Sequence, residues 1–188
     1  FKDKVVESLG FQYIDRKYET EKIASDVLDA FISKNGKELL VLDGKGNLER
    51  VDINKGKSKA REIADDVSSF YVSSDLEYVY YLDDNSDLFY IKGNSKPKEI
   101  ESDVEKFYVF DHNKACFIKD SDEDGGTLYI SSSGSKPKEI KDANDEAYRL
   151  YKNNDDIYVS LKQDENSMDF YALSGSGKLK KIGNDLDL

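Results

Sequence analysis

The chain has 188 residues and a formal net charge of −11, because 39 Asp and Glu residues outnumber 28 Lys and Arg residues. This charge argues against nucleic-acid binding and against direct docking on anionic lipid, since both need a positive surface. A single cysteine, Cys116, excludes an internal disulfide and a cysteine-based zinc site, and no run approaches the roughly 20 apolar residues of a membrane-spanning helix.

Short apolar and aromatic runs, each closed by Ser, Asp, Asn, Gly or Pro, predict antiparallel strands joined by tight turns. The runs repeat along the chain, and two sets of apolar positions mark the repeat: Leu48, Leu88, Leu128 and Met168, and Ile63, Ile100, Ile140 and Ile182. The first set is spaced by 40 residues at each step, and the second by 37, 40 and 42 residues. A period of about 40 residues with four strands is typical of β-propeller blades, so the sequence predicts an all-β propeller of four-stranded antiparallel blades.

The amino-terminal residues, about 1–26, predict a partial repeat. Val5-Val6 fits a second strand, Phe11 to Ile14 a third and Glu21 to Ile23 a fourth, so the first strand of this blade is missing. The chain also begins at Phe1 without an initiator methionine, which we take to indicate a processed or excised piece of a longer protein.

Four full repeats follow, at about residues 27–66, 67–103, 104–143 and 144–185. Pairs such as Asn35-Gly36 and Asp43-Gly44 supply the positive φ angles that tight hairpins require. The four full blades and the partial fifth together predict a single β-propeller domain over residues 1–188.

The last residues, Leu186 to Leu188, are expected to begin a new first strand. If they pair beside Val5-Val6, the ring closes as five blades and leaves no exposed sheet edge. The other possibility is a slice of a longer propeller, and this alternative is favoured because three residues are few for a strand.

A family resemblance rests on three runs of the second full repeat: Tyr78-Val79-Tyr80-Tyr81-Leu82, Leu88-Phe89-Tyr90-Ile91 and Lys96-Pro97-Lys98-Glu99-Ile100. They resemble the repeats of TolB-like propellers and of a broad group of extracellular proteins of Gram-positive bacteria. The resemblance covers nearly the whole chain through residues that describe strands and turns. It implies a propeller fold and a role in protein–protein or envelope-associated binding, and it implies no catalytic residues.

Propeller geometry places the second-to-third-strand turns and the links between blades on one face, and the remaining turns on the other. Acidic residues collect on the first face: Asp43, Asp65, Asp66, Asp83, Asp84, Asp87, Asp103 and Asp164. Lysines collect on the opposite face and the outer strands, among them Lys34, Lys37, Lys92 and Lys96. This distribution has a structural interpretation, because turns favour Asp and edge strands favour Lys. The functional interpretation is electrostatic steering of a basic partner or cation to the acidic face.

The stretch from Asp120 to Gly125 matches the opening D-x-D-x-D-G of oxygen-ligand calcium loops, with carboxylates at Asp120, Asp122 and Asp124. Position nine of such a loop is Leu128 and position twelve is Ser131, so the later carboxylate ligands are missing. The stretch is therefore either an acidic solvated turn or a calcium site, and no other cofactor is predicted.

The sequence predicts a non-enzymatic binding or scaffold module for a protein or cell-wall ligand, extracellular or associated with the cell envelope. Its signal or anchor would lie outside the given sequence. The alternative is a hydrolase or lyase that acts on a saccharide through carboxylates of the acidic face. His112, the only histidine, is expected in a surface turn, and no Ser, His and Asp order indicates other catalysis.

Overall fold

The structure is a computed structural model. It describes residues 4–7, 10–14, 20–53, 59–122, 125–140, 147–164 and 167–187, and it gives the backbone alone for residues 4–7, 10–14, 20–21, 59, 121–122, 148, 163–164 and 184–187. These residues form 19 β-strands and no helix. The predicted all-β class is thereby confirmed for the described part of the chain.

The chain divides into two compact units. Unit 1 comprises Phe1–Val79 with Ile91–Pro97, and unit 2 comprises Tyr80–Tyr90 with Lys98–Leu188.

The amino-terminal sheet has three antiparallel strands, β1 (Lys4–Glu7), β2 (Gly10–Ile14) and β3 (Thr20–Lys22), in that order. Lys4 lies opposite Tyr13, and Gln12 lies opposite Lys22. These strands overlap the three that were predicted for the partial repeat, and the division of the chain into repeats stays a prediction.

The second sheet is a meander of β4 (Val27–Ile32), β5 (Glu38–Asp43), β6 (Leu48–Asp52) and β7 (Lys59–Ala64). Four consecutive residues of β5, the second strand, are buried. Because successive side chains point to opposite faces of a strand, this sheet is packed on both faces.

The third sheet repeats this plan with β8 (Val67–Val72), β9 (Tyr78–Asp83), β10 (Leu88–Lys92) and β11 (Lys98–Glu101). Its second strand, β9, shows the same run of four buried residues as β5. The four-strand repeat predicted from the sequence is confirmed for both sheets.

The last sheet has eight strands and consists of two four-stranded parts. The first part contains β12 (Val104–Asp111), β13 (Lys114–Asp122), β14 (Gly125–Ser132) and β15 (Lys138–Glu139). The second part contains β16 (Ala147–Asn153), β17 (Asp156–Asp164), β18 (Ser167–Leu173) and β19 (Leu179–Asp187). One pairing, Gly126 opposite Ala147, joins them.

The carboxyl-terminal expectation is wrong. Leu186 lies opposite Met168 and Asp187 opposite Ser167, so these residues continue β19 as a fourth strand instead of beginning a first strand. The reason is that β18 offers backbone partners along its whole length, and two register shifts keep β19 paired with it. A five-bladed ring and a slice of a longer propeller both stay predictions.

The first of the two periodic apolar sets lies in the core. The first set is buried throughout, with exposed fractions of 0% for Leu48 and Leu88, 1% for Leu128 and 3% for Met168. In the second set Ile100 and Ile140 are buried, Ile63 is half-buried and Ile182 is 54% exposed. Lys181 lies opposite Tyr171 and Gly183 opposite Phe170, so Ile182 falls at a bulge between two ladder pairs.

No helix in the described part of the chain is long and apolar enough to cross a membrane.

Candidate functional site

The turn between β5 and β6 is held by the side chain of Asp43. Its Oδ1 accepts hydrogen bonds from the amides of Lys45 and Asn47, both at 2.9 Å, and its Oδ2 accepts one from the Asn47 carboxamide at 2.9 Å. Burial raises the pKa of the Asp43 carboxyl, but these bonds and the Lys45 charge outweigh it, so the pKa is lowered overall. Asp43 therefore has a structural role within its own turn.

Asp83 holds the equivalent turn between β9 and β10. Its Oδ1 accepts hydrogen bonds from the amides of Asn85 and Asp87, both at 2.9 Å. From the sequence, Asp43 and Asp83 were predicted to be surface charges of a binding face. The structure shows that each carboxylate also closes a five-residue turn, in the way Asp side chains commonly do.

A second structural role belongs to the Asp residue that precedes each first strand. Asp26, Asp66 and Asp103 have φ angles of 54°, 52° and 55°, in the left-handed region that Asp tolerates better than most residues. Each is followed by a valine, so an Asp-Val pair marks the link. The Asp-Val pair is thus a sequence signal of the links, in addition to the 40-residue period.

Turns and links bind each other through backbone hydrogen bonds. In unit 1 the Val67 amide donates to the Gly46 carbonyl at 2.9 Å, and the Gly44 amide donates to the Asp26 carbonyl at 2.7 Å. In unit 2 the Val104 amide donates to the Ser86 carbonyl at 2.9 Å. Within each unit, therefore, the second-to-third-strand turn and the adjoining link lie at the same end of the strands. We call this end the link edge.

Four of the predicted binding residues are exposed on the link edge, two in each unit. They are Asp65 and Asp66 in unit 1 and Asp84 and Asp103 in unit 2. Asp87 is half-buried beside Asp84. The side chain of Asp164 lies outside the described residues. Binding by these carboxylates stays a prediction.

One ion pair ties the end of β11 to β13. Lys119 Nζ lies 2.8 Å from Glu101 Oε1, and both side chains are half-buried. The hydrogen bond to Glu101 raises the pKa of Lys119, with the charge of Asp120 acting in the same direction. Asp120 itself is exposed, has a φ of 56° and donates its amide to the Asp103 carbonyl at 3.4 Å.

The predicted calcium residues lie partly on strands. Asp120 and Asp122 belong to β13, and Asp122 pairs with Gly125 across the hairpin. Asp124 and the side chain of Asp122 lie outside the described residues. Among the residues whose placement is given, no group of three or more His, Cys, Asp or Glu side chains could hold a metal ion. A calcium site here stays a prediction.

The opposite end of the strands has its own recurrent turn, headed by serine. The Ser33 hydroxyl accepts from the Glu38 amide at 2.9 Å, and the Ser73 hydroxyl accepts from the Tyr78 amide at 2.9 Å. Both serines are 1% exposed. The Lys34 amide donates to the Ser74 carbonyl at 2.8 Å, so the two turns meet within unit 1. We call this end the serine edge.

A residue that the sequence analysis missed is Arg50, which is 9% exposed in β6. It lies two residues after Leu48, and the same position in the later repeats is occupied by Tyr90, Ile130 and Phe170. The sequence could have indicated Arg50, because it is the one charged residue at a repeat position that is otherwise apolar or aromatic.

His112 lies exposed in the turn after β12, as predicted. Cys116 is 0% exposed, and burial raises the pKa of its thiol to about 12. A thiol with this pKa stays protonated near neutral pH, and Cys116 packs as a core residue.

Comparison with known proteins gives a fold likeness only. The sequence matches no protein-family model and no curated protein. Among solved structures, an oligogalacturonate lyase from Vibrio parahaemolyticus is similar with a TM-score of 0.60 and 11% identity over 94% of this chain. An oligogalacturonate lyase in complex with manganese gives 0.58 and 10% over 93%. The chain spans 59% of the length of each lyase chain.

The tricorn protease is similar with a TM-score of 0.55 and 12% identity over 95% of this chain and 25% of the protease chain. These neighbours are propeller-like proteins, which supports the propeller fold predicted from the 40-residue period. The resemblance to the TolB-like family stays a prediction.

Proposed function

We propose that the chain is a non-enzymatic binding module that takes a protein partner with a basic surface on its link edge. The observation that supports this proposal is the exposure of Asp84 and Asp103 in unit 2, on a turn and a link that the Val104–Ser86 hydrogen bond holds together. Carboxylates on a braced backbone lose little conformational freedom when a partner binds.

The charge of the molecule supports the same role. A net charge of −11 attracts basic partners over several ångströms and raises association rates, with a steep dependence on ionic strength. We place the module outside the membrane or on the cell envelope, with a protein or cell-wall component as its ligand.

The test uses a fluorescent oligolysine peptide as the probe and matched variants of the whole chain. Asp84→Asn with Asp103→Asn removes two exposed charges from the link edge, and Asn retains the left-handed conformation at position 103. Asp155→Asn with Asp156→Asn removes two exposed charges from the turn between β16 and β17, at the other end of the strands. We expect the first variant to weaken binding severalfold more than the second. Equal affinities of the two variants would show that only net charge matters and would overturn the proposal.

An enzyme that acts on a saccharide is the second candidate, and the fold likeness to the two oligogalacturonate lyases supports it. Incubation of the chain with oligogalacturonate, with and without manganese, followed by measurement of the ultraviolet absorbance of unsaturated products, tests for lyase activity. A steady increase in absorbance would replace the binding proposal with an enzymatic one.

A further inference from the structure

Arg50 is a buried cation with a neutral partner. Its Nη2 donates to the Leu76 carbonyl at 2.6 Å, and its Nε–H is buried and has no acceptor among the described residues. Burying an ionised group is costly unless it is paired with an opposite charge. In a chain with 39 acidic residues, the pairing of this guanidinium with a peptide carbonyl therefore needs an explanation.

A second guanidinium lies beside the first. Arg61 of β7 is directly opposite Arg50 of β6, so both side chains leave the same face of the sheet. Like charges directly opposite each other on a sheet are destabilising. Arg61 also ends on a neutral group, since its Nη2 donates to the Asn94 carboxamide oxygen at 2.6 Å.

The two guanidinium groups reach one place in unit 1. Leu76, the acceptor for Arg50, precedes Glu77, and Asn94, the acceptor for Arg61, follows Gly93. The Gly93 amide donates to the Glu77 carbonyl at 2.6 Å, so the two acceptors lie in turns that are hydrogen-bonded to each other. The Glu77 carboxylate lies against Gly93, yet no ion pair joins it to either arginine within the described chain. Two cations thus converge on a pair of joined turns at the serine edge.

The backbone around Arg50 is specialised as well. Leu76 has a φ of 59°, a conformation that a side chain with a Cβ rarely adopts, and the equivalent place in the preceding turn is taken by Gly36. The carbonyl of Leu76 nevertheless faces the guanidinium. The same turns also carry four exposed lysines, Lys34, Lys37, Lys92 and Lys96, together with the carboxylates of Asp75 and Glu77.

We propose that Arg50 and Arg61 form a binding site for a small oxyanion, a carboxylate or a phosphate, at the serine edge of unit 1. A guanidinium presents several N–H donors in a planar fork that matches such oxyanions, and an unused Nε–H is one of these donors. The oxyanion would neutralise two positive charges whose hydrogen-bond acceptors within the protein are neutral groups. This site lies at the other end of the strands from the link edge, so it is independent of the basic-partner proposal.

The experiment titrates the whole chain with sodium malonate and, separately, with sodium phosphate, with ionic strength held constant by sodium chloride. Thermal unfolding and the NMR signal of the Arg50 Nε–H report binding. We expect a saturable rise in Tm and a saturable movement of the Nε–H signal, because a ligand that binds only the folded state stabilises it. The anion that gives the larger response identifies the ligand as a carboxylate or a phosphate.

Three variants make the test specific. Arg50→Met removes the buried charge and keeps the aliphatic stem, and we expect it to abolish the response. Arg61→Met, at an exposed position, should weaken binding about tenfold, the effect of losing one charged hydrogen bond, and it carries the test if Arg50→Met does not fold. Lys45→Met, the same loss of charge at the link edge, should leave the response unchanged. A response equal to that of sodium chloride alone, or one retained by both arginine variants, would overturn the proposal.

Discussion

Arg50 and Tyr90 occupy the same place in two successive repeats, two residues after a fully buried third-strand leucine, and fill it in different ways. Tyr90 is 6% exposed, and its ring centre lies 4.9 Å from that of Tyr80. Arg50 is 9% exposed and reaches a backbone carbonyl. The comparison shows that the repeat defines a backbone position, while the side chain decides whether that position is core or a polar site.

The fourth-strand neighbours follow the same pattern. Tyr90 lies opposite Lys98 and Ile130 opposite Lys138, so an apolar or aromatic residue is paired with a lysine. In the earlier repeat both members are cationic, Arg50 and Arg61. A long basic side chain can lie along an apolar neighbour and keep its charge in water, but two guanidinium groups cannot cover each other in this way.

The largest effect is expected from Tyr90→Ala. Removal of a buried aromatic ring should lower the free energy of unfolding by about 4 kcal/mol, because the surrounding side chains cannot close the cavity. Urea denaturation followed by circular dichroism measures the loss. Tyr90→Phe keeps the ring and serves as the control, and a loss as large from Tyr90→Phe would contradict the role of the ring.

Gly134→Ala should cost about 3 kcal/mol. A Cβ at this position would lie 2.6 Å from Cδ1 of Tyr90, and the φ of 63° adds the strain of a left-handed residue. Asn94 lies 40 residues earlier, beside Arg61, and Asn94→Ala should cost only about 1 kcal/mol as one hydrogen bond is lost. Equal losses of unfolding free energy from Gly134→Ala and Asn94→Ala would show that the two repeats do not differ in packing at this position.

Asp43→Ala and Asp83→Ala should each cost about 1–2 kcal/mol, because each removes an acceptor for two turn amides. Similar losses are expected because this turn is shared by both repeats. Asp43→Asn keeps the acceptor and is the control. A loss at only one of the two positions would show that the turns are not equivalent.

The Asp43 turn also predicts a pH dependence. Its pKa is lowered in the folded state, so its stabilising effect is fully present above the unfolded pKa of about 3.9 and is lost as pH falls through the folded value. Unfolding free energies measured between about pH 5 and pH 2 should fall less steeply for Asp43→Asn than for the parent chain. Parallel curves would mean that the Asp43 charge does not contribute.

The smallest effect is expected from Arg50→Met in the absence of added anions. Replacement of a buried ionic group by an apolar side chain of similar length is often neutral or stabilising, so we expect between no change and a gain of about 1 kcal/mol. Denaturation in a low-salt buffer without phosphate or carboxylate measures it. A loss of unfolding free energy as large as that of Tyr90→Ala would show that Arg50 acts as a core residue, as Tyr90 does, and would contradict the difference between the two positions.

The sequence by itself determined the strands, the repeat and the core. Apolar runs bounded by turn residues predict short strands, and the 40-residue spacing of Leu48, Leu88, Leu128 and Met168 marks four equivalent positions, all of which are buried. The sequence also separated the acidic turns and links from the lysine-rich turns. Strands and turns depend on residues close together in the chain, and the repeat is visible in the spacing of similar residues, so the sequence alone is enough to predict both.

The tertiary structure alone decided what individual residues of those patterns do. It showed that Asp43 and Asp83 close their own turns and that Asp26, Asp66 and Asp103 adopt left-handed backbone, which leaves Asp65 and Asp84 without such a role. It also showed that Leu186 and Asp187 pair with β18 and that Arg50 lies directly opposite Arg61. The physical reason is that register and hydrogen-bond partners depend on residues from other strands, and a single strand's sequence does not contain them.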